Sequence, residues 1–349
     1  PSQGRTSAFL EAPFAWVLGG NQRAKLQAPG AGPRSRLPMQ YLVLFVNTFG
    51  RLSFRDKELE ALLEMRGIRN PPMRWSRVGV EGDETAFMEI DLPTEADAVF
   101  LGSRSVGIKG IFEPWGAGAS VEECLEACRA FPTQRKDPFL AEGSTFKINV
   151  VSVGGTISSA ERGKLIETCF DYIDFKGKVQ MDQTRKGVRA GKGPRADNQF
   201  WWLEDVGNPP HVSSSTGLVP HRRWFAREVA LSQRPLLERY DLKKREYLCT
   251  TSMTAELSFL VANFAHCRPG TLVLDPFCGS ASLLISAAHF GSYTMGGDID
   301  IRVIRGKQKD KKMAAHCRFA RTLKEVEIGP LSNFRQYGLM PPLDLVLVP

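Results

Sequence analysis

Residues 271–300 read TLVLDPFCGSASLLISAAHFGSYTMGGDID, and their order decides the fold. TLVLDPF is a strand-length apolar run of the kind that sits in the middle of a parallel sheet. At its carboxyl end lie Asp275, Pro276 and Phe277, then the small-residue turn Cys278, Gly279, Ser280, Ala281 and Ser282. LLISAAHF reads as a buried helix ended by Gly291, and YTMGGDID as a second strand finishing on Asp298, Ile299 and Asp300. Strand, tight turn, helix, strand and acid is the plan of an open α/β sheet, which binds ligands beyond the carboxyl ends of its strands. Gly279 lets backbone approach a ligand with no Cβ between them. The start of the helix offers free N–H groups and positive potential to a carboxylate. An acid after the second strand can accept from both hydroxyls of a ribose. Together these suit a nucleoside that also carries an amino-acid end. A dinucleotide prefers three glycines spaced GxGxxG. Here one glycine is present, and Asp275 would repel a pyrophosphate, whereas it can hold an ammonium group.

Working outward, TAELSFLVANFAHC is a helix with Leu257, Leu260, Val261 and Phe264 as apolar positions, stopped by Arg268, Pro269 and Gly270. Residues 249–349 thus form one Rossmann-like unit. Residues 206–248 have the Pro, Ser and Gly content of a connector, with a cationic cluster at Lys243, Lys244 and Arg245. Upstream, residues 39–115 read as an α+β domain. QYLVLFVN is a strand, DKELEALLEMR a helix ended by Gly67, ETAFMEIDL a strand, EADAVFLGSR a helix and VGIKGIFEPW a strand. Residues 116–205 form a second unit. Its helix SVEECLEACRAF has Ser120 as N-cap and Glu123 in capping-box position. The strand TFKINVVSVG, the helix SSAERGKLIETCFDYI and the strands FKGKVQMD and NQFWWLEDVG follow. A loop between the last two strands carries Arg185, Lys186, Arg189, Lys192 and Arg195 among glycines, a solvated tip able to meet phosphate.

Residues 1–38 differ in kind, being rich in Ala, Gly, Pro, Ser and Arg, with Glu11 the one acid. They lack the apolar h-region of a secretory signal. Their composition fits a mitochondrial transit peptide as well as a disordered or non-native extension; Met39, directly before a strand, favours the extension. No run approaches the ~20 apolar residues of a membrane span. The net charge of +8 suits a polyanionic partner without requiring one. None of the seven cysteines forms a CxxC pair, and no HExxH occurs, so no zinc set of finger spacing is present. An odd, scattered set reads as reduced thiols of a cytoplasmic protein. Cys124 and Cys128, one helical turn apart, read as core positions.

At these residues the sequence resembles the tRNA (guanine-10 N2)-methyltransferase family, specifically its eukaryotic catalytic subunits. The resemblance rests on Thr251-Ser252-Met253, Glu256-Leu257-Ser258, Asp275-Pro276-Phe277, Gly279, AHFGSY and GGDIDIRVIRGK. It extends through IFEPWG, TFKINV, YDLKKREYL and NFRQYGL, nearly the whole chain after Met39. It implies an α/β protein: an N-terminal α+β domain, a THUMP-like tRNA-binding domain, a linker and a class I methyltransferase domain. It also implies S-adenosylmethionine as cofactor, tRNA as substrate and a small zinc-binding activating subunit as partner. The cofactor residues it implies are Thr251, Ser252, Asp275, Pro276, Phe277, Gly279, Ser280, Asp298, Ile299 and Asp300. RNA contacts are expected at Lys243, Lys244 and Arg245, and in the basic run after Arg302 at Lys309, Lys311 and Lys312.

Two departures from the family pattern carry expectations. The family's GTG turn is Gly279-Ser280-Ala281 here, and the Ala281 methyl is expected to weaken cofactor binding without abolishing it. Members also place an Asp/Asn-Pro-Pro-Tyr tetrad after a later strand, where it holds the target amine. These 349 residues contain no such tetrad: Asn208-Pro209-Pro210 is followed by His211 and reads as a turn, and Met340–Leu343 is MPPL. LDLVLV falls near the expected third strand, so the methyltransferase domain reads as C-terminally incomplete. No catalytic residue is assigned, and these residues alone are expected to hold tRNA and cofactor without completing the reaction. The rival expectation is a catalytically inactive tRNA-binding or scaffold form.

Overall fold

From Tyr41 onward the first strand is buried, because both of its faces meet protein: Tyr41, Val43 and Phe45 on one side, Leu42 and Leu44 on the other. It opens the computed structural model, which describes residues 38–46, 54–76, 85–180, 195–207, 219–249, 252–306 and 329–348. The elements in chain order are β1 (Met39–Phe45), α1 (Arg55–Met65), β2 (Met73–Trp75), β3 (Phe87–Leu92), α2 (Glu95–Arg104) and β4 (Ile108–Gly118). There follow α3 (Val121–Ala130), α4 (Thr133–Leu140), β5 (Thr145–Val153), α5 (Ser159–Tyr172), β6 (Lys178–Val179), β7 (Asn198–Asp205) and β8 (Arg222–Leu231). The remainder is α6 (Pro235–Arg239), α7 (Ala255–Phe264), β9 (Leu272–Asp275), α8 (Ser282–His289), β10 (Tyr293–Asp298), α9 (Ile301–Arg305), α10 (Pro330–Tyr337) and β11 (Asp344–Leu347).

The first eight strands make one mixed sheet in the order β2-β3-β1-β4-β8-β7-β5-β6. Pairing is antiparallel from β2 through β7 and parallel where β5 meets β7 and β6. Helices α1 and α2 cover one end of the sheet through Leu59, Leu62, Leu63, Ala98 and Leu101. Helices α3 and α5 cover the other end, where Cys124, Leu125, Cys128 and Cys169 pack on Trp115, Phe146, Phe200 and Trp202. Ser120 and Glu123 close a reciprocal capping box at the start of α3, and Ser158 and Glu161 do the same for α5. Gly116 and Gly118 bring β4 so close to α3 that an added Cβ would run into the Cys124 backbone.

Sequence and structure differ in three places. The segment 222–231, read as connector, is β8 and sits in the centre of the sheet; its alternating Trp224, Ala226 and Phe225, Arg227 suit a strand covered on both faces. FKGKVQMD yields a strand of two residues, Lys178–Val179, its end from Met181 lying outside the described residues. TLVLDPF, read as a mid-sheet strand, is among the described residues the edge of the parallel order β11-β10-β9, and Leu272 and Leu274 are 60% and 63% exposed.

Around that parallel sheet, α7 and α8 pack with Leu236, Tyr240, Phe334 and Tyr337 into one core. The same core takes in Val106, which follows α2, and thereby joins the large sheet's helices to the cofactor-type unit. None of the helices among the described residues is long and apolar enough to cross a membrane.

Candidate functional site

The parallel pairing of β9 with β10 sets Asp275, the last residue of β9, level with Gly296, two residues before β10 ends at Asp298, so the two acids lie near each other at the carboxyl ends of the strands. Asp275 accepts from the Phe277 N–H at 3.0 Å, which tightens the chain into the turn. Burial and then the nearby charge of Asp298 push the Asp275 carboxyl above its ordinary range. Asp298 accepts from the Gly279 N–H at 2.9 Å and from the Asp300 N–H at 2.9 Å, one on each oxygen. That carboxylate therefore ties the turn after β9 to the end of β10 and still has lone pairs for a ligand.

The turn is shaped by two left-handed residues, Gly279 at φ 51° and Ala281 at φ 64°. Left-handed backbone costs a residue with a Cβ about 1–2 kcal/mol, so the family's second glycine is replaced here at a strained position. The Ala281 methyl is fully buried, in the core that also holds Leu284, Ile285 and Phe334. Phe277, two residues after β9, and Ile299, directly after β10, are exposed apolar side chains at 84% and 76%.

Asp300 has another task. It caps α9 through the Arg302 N–H and grips the Arg302 guanidinium at 2.7 Å. The hydrogen bonds from Arg302 draw its carboxyl down to about 2. Ser252 lies against the turn, its hydroxyl 2.7 Å from that of Ser280. Thr251 lies outside the described residues, as do Lys309, Lys311 and Lys312, the loop residues Arg185, Lys186, Arg189 and Lys192, and Asn208–His211. Arg195 is described and pairs with Glu228.

Lys243 and Lys244 are exposed on a 3-10 turn, with Lys244 reaching Glu238 at 3.1 Å. Arg245 is a correction. Expected beside them as a phosphate contact, it is buried, 3% exposed, and its guanidinium donates to the Ser282 hydroxyl at 2.6 Å. A guanidinium enclosed at the start of α8 cannot reach a phosphate backbone.

Sequence reasoning missed the residue that organises this side of the site. Asn333 of α10 is fully buried, accepts from the Tyr247 N–H at 2.9 Å and donates to the carbonyls of Tyr247 and Ser280 at 3.0 and 3.3 Å. Tyr247 in turn donates its hydroxyl to the Val303 carbonyl at 2.9 Å. The signal was present in NFRQYGL, yet nothing local tells an asparagine pinned at both ends of its amide from one in solvent.

Chemically, two neighbouring carboxylates disfavour a pyrophosphate and favour hydroxyl donors and a cation. Exposed apolar surfaces beside them suit a flat ring. Such groups can receive a nucleoside with an ammonium-bearing tail.

The profile of the Tmrp11 THUMP N-terminal domain matches residues 39–234, more than half of the chain. The chain belongs to that family. Residues 243–328 match the RMKL-like methyltransferase domain, so β9, the Gly279 turn and β10 lie in a methyltransferase domain. Among curated relatives, the tRNA (guanine(10)-N(2))-methyltransferase TRMT11 of Rattus norvegicus is 34% identical over 306 residues, covering 86% of this chain and 58% of the relative. The tRNA (guanine(10)-N(2))-methyltransferase of Saccharomyces cerevisiae is 34% identical over 300 residues, covering 86% and 60%. The chain thus spans about three fifths of the length of the relatives it matches. The crystal structure of PH1313 from Pyrococcus horikoshii Ot3 is similar at a TM-score of 0.36 and 12% identity, covering 89% of this chain and 80% of that one, too low to carry an argument.

Proposed function

We propose that this chain carries the tRNA- and cofactor-binding residues of a tRNA methyltransferase that transfers a methyl group from S-adenosylmethionine to the 2-amino group of guanosine 10. The observation that carries the reading is the paired carboxylates, Asp275 and Asp298, at the ends of adjacent parallel strands around the Gly279 turn. When bound, S-adenosylmethionine supplies a methyl group on a sulfonium sulfur. Asp275 holds the ammonium of its amino-acid end, and Gly279 and Ser280 give the close approach. The remaining lone pairs of Asp298 receive the ribose hydroxyls, and Ile299 and Phe277 give apolar cover to the adenine side. Pro276 fixes the direction of the turn, Ser252 closes it from the connector side through Ser280, Thr251 joins the set on its sequence motif, and Asp300 sets the start of α9. Rate enhancement in such a transfer comes mainly from holding donor and acceptor in line. Lys243 and Lys244, together with Lys309, Lys311 and Lys312, add sequence-blind affinity for phosphates. A small zinc-binding subunit docked on the methyltransferase domain, and a cytoplasmic location, complete the reading.

Incubation with methyl-labelled S-adenosylmethionine and unmodified tRNA, followed by digestion to nucleosides, tests it. Saturable tRNA binding, with any label confined to the 2-amino group of guanosine 10, supports the reading. Label in another nucleoside, or failure to bind tRNA, contradicts it. Transfer by these 349 residues alone would separately overturn the expectation that the Asp/Asn-Pro-Pro-Tyr tetrad is essential.

A further inference from the structure

The turn after β9 carries a strained residue, and one distant side chain holds it. Ala281, fully buried, sits in left-handed backbone at φ 64° and ψ 31°. For a residue with a Cβ, that region is disfavoured by a factor of about ten. α8 anchors the far side of Ala281, where the Ile285 N–H donates to the Ala281 carbonyl at 2.9 Å. Relaxation of Ala281 therefore has to turn the peptide plane between Ser280 and Ala281.

That plane is pinned at both edges. Its N–H donates to the Cys278 carbonyl at 2.7 Å, a bond inside the turn itself. Its carbonyl accepts from Asn333 Nδ2 at 3.3 Å, across 53 positions of sequence. An amide nitrogen has two hydrogens, and the second goes to the Tyr247 carbonyl at 3.0 Å. The Tyr247 N–H, at 2.9 Å, can meet only the amide oxygen, so the orientation of the Asn333 side chain is fixed. Asn333 and Ser280 are 0% and 2% exposed, which leaves little water to take the place of the amide. Gln336, almost one turn further along α10, has the same chemistry with a different reach. It accepts from the Glu246 N–H at 3.0 Å and donates to the Lys244 carbonyl at 2.6 Å, both in the connector.

We infer that Asn333 is a positioning residue for the ligand-binding turn: through the Ser280 carbonyl it keeps Ala281 left-handed, and thereby keeps Gly279 and Ser280 where a ligand meets them. This rests on the cofactor reading given above. It gives α10 a part in ligand affinity that depends on the residue at 281, because glycine takes left-handed backbone without the cost that alanine bears.

The test is a double-mutant cycle read by calorimetric titration of S-adenosylhomocysteine into the full chain. With Ala281 in place, Asn333→Leu lowers affinity about tenfold, the scale of the left-handed penalty. With Ala281→Gly, the same substitution lowers it no more than about threefold, because glycine keeps the turn in shape without the amide. Gln336→Leu, which loses connector bonds alone, leaves affinity within about twofold in both backgrounds. Should Asn333→Leu fail to fold, Asn333→Ser removes the reach to Ser280 with a smaller change of polarity and gives the same contrast. Equal loss in the two backgrounds makes Asn333 a packing residue only and overturns the inference, as does no loss in either. Failure of the native chain to bind the probe overturns the cofactor reading itself, and this inference with it.

Discussion

Asn263 on α7 donates its side-chain amide to the Glu58 carboxylate on α1 across 2.8 Å, linking residues 205 positions apart. The other end of the same amide accepts from the Arg104 guanidinium at 3.1 and 3.2 Å. Glu58 is completed by Ser105 Oγ at 2.5 Å and by the N–H groups of Val106 and Gly107 at 3.0 and 2.9 Å. Arg104 also lies over the Phe290 ring, 3.6 Å from its centroid. The large sheet and the methyltransferase domain thus meet through a buried polar joint whose geometry a single asparagine sets.

Asn263→Leu is expected to lower stability by about 3 kcal/mol, because it leaves a carboxylate and a guanidinium buried without their shared partner. Urea unfolding measures this. A change below about 1 kcal/mol would mean that the joint is dispensable.

Ala281 gives a test in which opposing effects nearly cancel. Ala281→Gly relieves left-handed strain of about 1–2 kcal/mol but loses a buried methyl worth about 0.8 kcal/mol and frees the unfolded chain by about 0.4–1 kcal/mol. The net change in stability should stay within about 1 kcal/mol. Ala281→Val, β-branched and overpacked at a left-handed position, should cost about 3 kcal/mol or more. Thermal melts of the two variants decide it.

His289 packs against Tyr240, Phe259 and Phe290, with Nδ1 2.9 Å from the Tyr240 hydroxyl. Burial, reinforced by Arg239 and Arg104, lowers its pKa from 6.5 to about 4. A depressed folded value contributes stability above 6.5 that is lost as pH falls towards 4. The loss should reach up to about 3 kcal/mol. His289→Gln should flatten the stability profile between those values, as read by denaturant midpoints; an unchanged slope would contradict it.

Asp275 works in the opposite sense. Its raised carboxyl contributes stability below the ordinary aspartate range that is lost as pH rises through the folded value. Asp275→Asn should therefore stabilise the chain at neutral pH, with the gain vanishing in acid, while removing ligand binding. A variant that loses binding and gains no stability at pH 7 would show that the carboxylate is not strained.

Much of this was legible because it is local. DPFCGSAS and GGDID announce the turn and its acids, and Ser120 with Glu123 marks the start of α3 three residues apart. What could not be read depends on distant partners. β8 looked like connector because its flanks are rich in Pro and Ser, and only pairing with β4 and β7 makes it central. Arg245 looked like its lysine neighbours, and only the packing of α8 and α10 turns it inward. Asn263 and Asn333 act through both ends of an amide, which no spacing rule reveals.

The most direct test of the account is a pair of titrations, S-adenosylhomocysteine and NAD into the full chain and into Asp298→Ala. The account predicts saturable binding of S-adenosylhomocysteine, weakened about tenfold or more in Asp298→Ala, and no competing binding of NAD. Binding of NAD in its place, or S-adenosylhomocysteine binding indifferent to Asp298, would contradict it.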